Sequence, residues 1–240
     1  MLVRASYGLD FLIPKVVFMI KKLIIWDFDG VIADSEKIWL MNRQHSLNQK
    51  FGLNWDFDTT NKFLGGMSDA TKKSMLDKMG LKTDETFWKE QIKLDVAYMK
   101  QHGLSVTPDV EDIIKRGHKQ CIATGGVMSK TKIKLEVIGF WHKYFDEHNV
   151  FTADMVAQGK PEPDIFLLAA EKMGEKPQDC IVIEDSIAGM TAAQRAGMDV
   201  IAFLGSEMYD NPVCLERVKA LGVKHIFYHM KDVADFLFDK

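Results

Sequence analysis

The chain has 240 residues, 47% of them apolar and 27% charged, which suits a soluble protein with a proper core, built as one domain with an insertion or as two small domains. Its 31 basic and 34 acidic side chains give a formal net charge of −3, with no basic excess or stripe, so nucleic acid is excluded as an expected partner. The three cysteines, Cys121, Cys180 and Cys214, show no CxxC spacing and are expected to be reduced thiols rather than a disulfide or a metal site.

Residues 9–20 are rather apolar, but Asp10, Pro14 and Lys15 interrupt them, so the run is too short and broken to span a bilayer. Arg4 ahead of it mimics a signal peptide, yet no small-residue cleavage site follows. Residues 1–18 are therefore read as an extension and Met19 as a candidate start. The expected compartment is the cytoplasm, with no membrane partner. Residues 23–26 predict a buried parallel strand ending at a carboxylate cluster. Residues 35–101 hold no convincing strand. Ile38, Met41 and His45, then Met75, Leu76 and Met79, then Phe87, Ile92, Val96 and Met99 recur at helical spacing. They predict a small helical bundle with breaks near Gly52, Gly65-Gly66 and Gly80 and with Met75, Met79 and Met99 in its core.

After Gly103 the pattern alternates. Helices are predicted over 110–116, 130–138, 164–173, 187–196 and 233–237. Strands are predicted over 120–123, 149–151, 180–183, 200–203 and 225–227. The alternation implies an α/β fold with a doubly wound parallel sheet, whose ligands sit outside the carboxyl ends of the strands.

Four polar clusters fall at those ends. Asp27 and Asp29 follow the first strand; two neighbouring carboxylates there repel each other unless a cation such as Mg2+ relieves them. Gly30 suits a tight turn exposing N–H groups to an anion. Thr124, Gly125 and Gly126 offer a hydroxyl and open backbone N–H groups, a phosphate cradle. Lys160, held between Gly159 and Pro161, is placed to pair with Asp27 and a phosphate oxygen, while Asp164 is expected to cap the next helix. Glu184 and Asp185 end another strand; Asp185 is the natural second metal ligand, and Glu184 ligates directly or through water. Each cluster alone has a plainer explanation: a polar turn, a helix N-cap, a solvated lysine, acids drawn to a helix N-terminus. The argument rests on their conjunction in order along the chain.

As a set they resemble the haloacid dehalogenase superfamily, in the branch of sugar phosphatases and β-phosphoglucomutases with a helical cap. Asp27 and Asp29 match its first motif, Thr124 its second, Lys160 its third, and Glu184 with Asp185 its fourth. The resemblance implies a Rossmann-like core over 19–34 and 104–240 and a mobile cap over 35–103, hinged at Ala33-Asp34 and Gly103-Leu104. It implies a Mg2+-dependent phosphatase acting on a small phosphorylated metabolite, with Asp27 as nucleophile, Asp29 as general acid and base, and metal held by Asp27, the Asp29 carbonyl and Asp185. Thr124, Gly125, Gly126 and Lys160 would hold the phosphate. Trp39, His45, Lys62, Gly65, Gly66 and Met67 are cap candidates for touching substrate, with surface or bundle packing as the plainer alternative for Trp39, His45 and Lys62.

The second aspartate disfavours dehalogenation. Trp39 stands where the mutases carry a histidine, and Gly65 and Asp69 stand where their cap loop carries cations, which argues against a mutase. A mutase and a catalytically silent phosphometabolite-binding protein are the rival readings. A monomer is the expected state.

Overall fold

The computed structural model describes residues 21–65, 69–205 and 212–238; the extension over 1–18, Met19, Gly66, Met67 and the Cys214 side chain lie outside the described residues. In chain order, β1 (Leu23–Trp26) is followed by the short β2 (Ala33–Asp34) and then by four helices: α1 (Glu36–Phe51), α2 (Phe57–Leu64), α3 (Asp69–Lys78) and α4 (Glu85–His102). The chain returns through β3 (Ser105–Val106) to α5 (Val110–Ile114), β4 (Gln120–Thr124), α6 (Met128–Val137), β5 (Val150–Thr152) and α7 (Asp164–Lys172). It ends with β6 (Cys180–Glu184), α8 (Ile187–Arg195), β7 (Asp199–Phe203), α9 (Pro212–Ala220), β8 (His225–Phe227) and α10 (Met230–Phe238).

Six strands form one parallel sheet in the order β5-β4-β1-β6-β7-β8. The four apolar residues of β1 are all buried, because the strand lies mid-sheet and is covered on both faces. Ile25 packs with Cys121 and Val182 on the side of α7 and α8; Ile24 and Trp26 pack with Ile122 and Ile183 on the side of α5, α6 and α10. Cys121 and Cys180 are buried free thiols. The winding reverses at β1, which pairs with β4 on one side and β6 on the other. Such a switch point leaves a crevice at the carboxyl ends of these three strands, and three of the four polar clusters begin there.

Three elements, β2, β3 and α9, have no counterpart in the sequence expectations. Ala33 and Asp34 pair antiparallel with Val106 and Ser105, a two-residue ladder clamping both ends of the four-helix segment. At two residues it is too short for any periodicity to register. The third is α9, whose apolar spacing is weak.

The four helices share a core of Leu40, Leu47, Leu64, Leu76 and Phe87. Asp56 and Asp84 cap α2 and α4 by accepting from Thr59 N and Phe87 N, each at 2.8 Å. Three inward assignments are corrected. Met41 and His45 are exposed on α1, and Met79 is exposed beside Gly80 at the end of α3; Met99 is buried and Met75 half-buried. On α1 the inward positions are Ile38, Leu40, Arg43 and Leu47, so an arginine occupies the stripe expected to be apolar. Its guanidinium pairs with Asp95 of α4, both side chains only 2% exposed. Asp164 is also corrected. It opens α7 after Pro163 rather than capping it, and its carboxylate accepts from Gln158 N at 3.3 Å. Among the described residues no helix is long and apolar enough to cross a membrane.

Burial raises the Asp95 pKa against the pull of Arg43 and Asn42. The pair is therefore a costly feature that becomes much worse when halved. Arg43→Met is expected to lower stability by about 3–5 kcal/mol, and the double change Arg43→Met/Asp95→Leu to recover most of that loss. Urea unfolding of both variants checks this; equal stabilities would show that the pairing is unimportant.

Candidate active site

Asp27 leaves the end of β1 and is 5% exposed. Its Oδ1 accepts from Lys160 Nζ at 2.5 Å, and the same ammonium donates to Glu184 Oε2 at 2.6 Å. Lys160 comes from the loop between β5 and α7, with its Nζ 5.0 Å from the Phe166 ring. Glu184 closes β6. Its other oxygen accepts from Ser186 N and Oγ at 3.1 and 2.7 Å, and Ser186 Oγ in turn accepts from Gly189 N to cap α8. The Glu184 carboxylate fills the space a side chain at residue 189 would need: a Cβ there would lie 2.1 Å from Glu184 Cδ. Asp185 follows, also buried. A Cβ on Gly30, whose φ is +84°, would lie 1.8 Å from Asp185 Oδ2. Only glycine combines that backbone with that approach.

Asp27, Glu184 and Asp185 each offer an oxygen, all within 4.8 Å of one another, and all three residues are buried. Two of these carboxylates, Asp27 and Glu184, share the single ammonium of Lys160. Burial and the charge of Glu184 push the Asp27 carboxyl up to about 7, against the opposing pull of Lys160. Burial disfavours the charged Lys160 ammonium, but Asp27 and Glu184 outweigh it and hold its pKa above the ordinary lysine value. Shared with Glu184, Lys160 alone does not hold the Asp27 carboxyl at its ordinary value. An all-oxygen, carboxylate-rich, buried donor set is what a hard divalent cation needs, so these residues could hold one.

Asp29 lies beside this cluster with its carboxylate turned elsewhere. Its two oxygens accept from Lys134 Nζ at 2.6 and 2.7 Å, and Oδ1 also accepts from Ser35 Oγ. The sequence reading weighed neither partner. Ser35 occupies the N-cap position of α1 but makes no cap bond, because its hydroxyl serves Asp29. Lys134 carried a visible signal: with Thr131 and Leu135 it lies on the buried stripe of α6, where an unpaired lysine is costly.

Thr124 is buried at the end of β4, and its Oγ1 accepts from Gly126 N at 3.2 Å. It does not cap α6, whose N-cap position is Val127. The Gly126 N–H, expected to be open, is thus occupied, while Gly125 is exposed with free space about its Cα. Among the cap candidates, Trp39 is half-buried, its ring centroid 5.4 Å from Lys134 Nζ. His45 and Lys62 are exposed, and no hydrogen bond or ion pair found among the described residues ties them to the acidic cluster. Gly65 ends α2 where a Cβ would lie 2.0 Å from Asn61 Oδ1, a local reason for glycine there.

Comparison with known proteins agrees with this fold. The model of the haloacid dehalogenase-like hydrolases matches residues 24–203. A fructose-1-phosphate phosphatase of Escherichia coli is 30% identical over 185 residues, 74% of this chain and 94% of the relative. A β-phosphoglucomutase of Bacillus subtilis is 27% identical over 74% of this chain and 80% of its own length. The crystal structure of a conserved haloacid dehalogenase-like protein of Agrobacterium tumefaciens superposes with a TM-score of 0.75 at 25% identity, covering 90% of this chain and 97% of that one. With its parallel sheet and switch-point acidic cluster, this chain belongs to the haloacid dehalogenase-like hydrolase family.

Proposed function

We propose that the chain is a Mg2+-dependent phosphatase that hydrolyses small phosphorylated metabolites, sugar phosphates or their relatives, through a phosphoryl group carried on Asp27. The carrying observation is the meeting of Asp27, Lys160, Glu184 and Asp185 at the switch point with Asp29 alongside. The phosphatase named among the relatives supports the same reaction class.

In this mechanism the Asp27 carboxylate attacks phosphorus while the bond to the leaving oxygen breaks, and Asp29, entering the step protonated on one oxygen while Lys134 donates to the other, gives the leaving oxygen its proton. Asp29 then takes a proton from a water that attacks the phosphoryl group, and the bond to Asp27 breaks. Lys160, the Thr124 hydroxyl and the backbone at Gly125 bind the non-bridging oxygens. Asp27, Asp185 and the Asp29 carbonyl would hold magnesium, with Glu184 positioned to ligate or to anchor Lys160. The bound ion supplies charge neutralisation as the phosphoryl group moves. Residues 35–103 act as a cap that excludes bulk water over the site, hinged where β2 and β3 clamp it. The same reading makes the protein a cytoplasmic monomer with no nucleic acid or membrane partner.

A phosphate-release screen across sugar phosphates, sugar-acid phosphates, nucleotides and phosphoglycolate, with and without magnesium, tests the proposal. Release from none of them defeats it. The mutase relative favours a second reading, in which sugar phosphates interconvert without net release. Trp39, Gly65 and Asp69 oppose it, since they supply no cap cation for a second phosphate. Product analysis separates the two.

Gly30→Ala is expected to raise the half-saturating magnesium concentration by about tenfold or more, because the new Cβ displaces the Asp185 carboxylate. A magnesium titration of activity checks this. An unchanged midpoint would mean that Asp185 does not bind the ion.

A further inference from the structure

The ammonium of Lys134 meets both oxygens of Asp29, at 2.6 and 2.7 Å. It comes from the buried side of α6. Its side chain is 4% exposed, whereas that of Asp29 is 32% exposed. A buried cation thus reaches a partly exposed carboxylate. Two rings wall the ammonium: Phe28 of the first motif at 5.1 Å and Trp39 of α1 at 5.4 Å. Such a setting leaves the lysine few other positions, because turning away from Asp29 would strand its charge against apolar faces. Ser35 adds a donor to Oδ1. Together they hold the Asp29 carboxylate out of the cluster formed by Asp27, Glu184 and Asp185.

We infer that Lys134 is the positioning residue for Asp29: it fixes the acid and base carboxylate on the leaving-group side of the site, with Trp39 closing over it from the four-helix segment. This rests on the phosphatase reading. Lys134 itself touches no reacting atom in this scheme. Its contribution is orientation, and misplacing a catalytic group by about 1 Å is enough to cost roughly 10²-fold in rate.

Orientation of a general acid matters only when the leaving oxygen needs a proton. The purified full-length protein is therefore assayed on two substrates with magnesium. One is the best alkyl phosphate from the release screen. The other is p-nitrophenyl phosphate, whose leaving group departs unprotonated, followed as the rate of the first-turnover burst. For Lys134→Met, kcat on the alkyl phosphate is expected to fall by about 10²-fold with KM within threefold, while the burst rate changes by less than about threefold. Lys134→Arg, which restores a donor to both oxygens, is expected to recover part of the alkyl activity, and Trp39→Leu to show a milder loss of the same selectivity. Should Lys134→Met fail to fold by circular dichroism, Lys134→Gln and Trp39→Leu carry the same comparison. Equal losses on the two substrates, or a loss confined to KM, overturn the inference and leave a structural or substrate-binding role. A wild type that releases phosphate from neither substrate overturns the phosphatase reading itself, which is a distinct outcome.

Discussion

Asp27→Asn is expected to abolish turnover, by about 10³-fold or more, because an amide is a far poorer nucleophile and cannot form the acyl phosphate. The same change is expected to raise thermal stability in metal-free buffer above pH 7. The sign follows from the Asp27 carboxyl, which burial and Glu184 push from 3.8 up to about 7 in the folded chain. A carboxyl whose folded pKa is raised binds its proton more tightly when folded, so its ionisation weakens the fold as pH rises from about 4 to about 7. The asparagine variant has no such loss. Its melting temperature is therefore expected to exceed that of the wild type most above pH 7, with the gap closing toward pH 4. Magnesium is expected to close the gap at high pH as well, by stabilising the wild type. Activity assays and melting curves on the two proteins, with and without magnesium, check both halves. Near-normal hydrolysis by Asp27→Asn would refute the covalent route, and a pH-independent gap would refute the electrostatic account.

Asp29→Asn is expected to cost about 10²–10⁴-fold in steady-state turnover while leaving substrate affinity largely intact. The amide can still accept from Ser35 and Lys134, so the local fold survives better than it would with alanine, but it neither gives nor takes the proton. The two half-reactions then respond differently. With p-nitrophenyl phosphate the first step needs no acid, whereas hydrolysis of the phosphoryl group on Asp27 still needs a base. A stopped-flow trace should show one burst of nitrophenolate, close to one equivalent per site, followed by very slow release. A smooth trace with wild-type rate would remove Asp29 from the chemistry.

Much of this arrangement is legible in the one-dimensional chain. The strands at Leu23–Trp26 and Cys180–Glu184 are apolar runs that end in acids, and apolar runs between helical segments of that length leave little choice but a covered parallel sheet. Asp27, Lys160, Glu184 and Asp185 were identifiable because each is anchored at a strand end or in a Pro- and Gly-held turn, where local sequence limits the backbone. The helical character of 36–102 is equally local. What the chain order does not contain is which side chains of that segment face inward: Arg43 took an apolar position because Asp95, 52 residues away, neutralises it. His45, Met41 and Met79 lie exposed instead.

Residue types and spacing thus determined a parallel sheet, the alternation of its main strands with helices along the chain, and the acids and lysine at the strand ends, since these follow from backbone period and turn chemistry. The tertiary structure alone decided how their charges are divided. Lys160 is split between Asp27 and Glu184, and Lys134, 105 residues from Asp29, takes both oxygens of that carboxylate. Pairing of buried charges depends on through-space distance and desolvation, neither of which is encoded by separation along the chain.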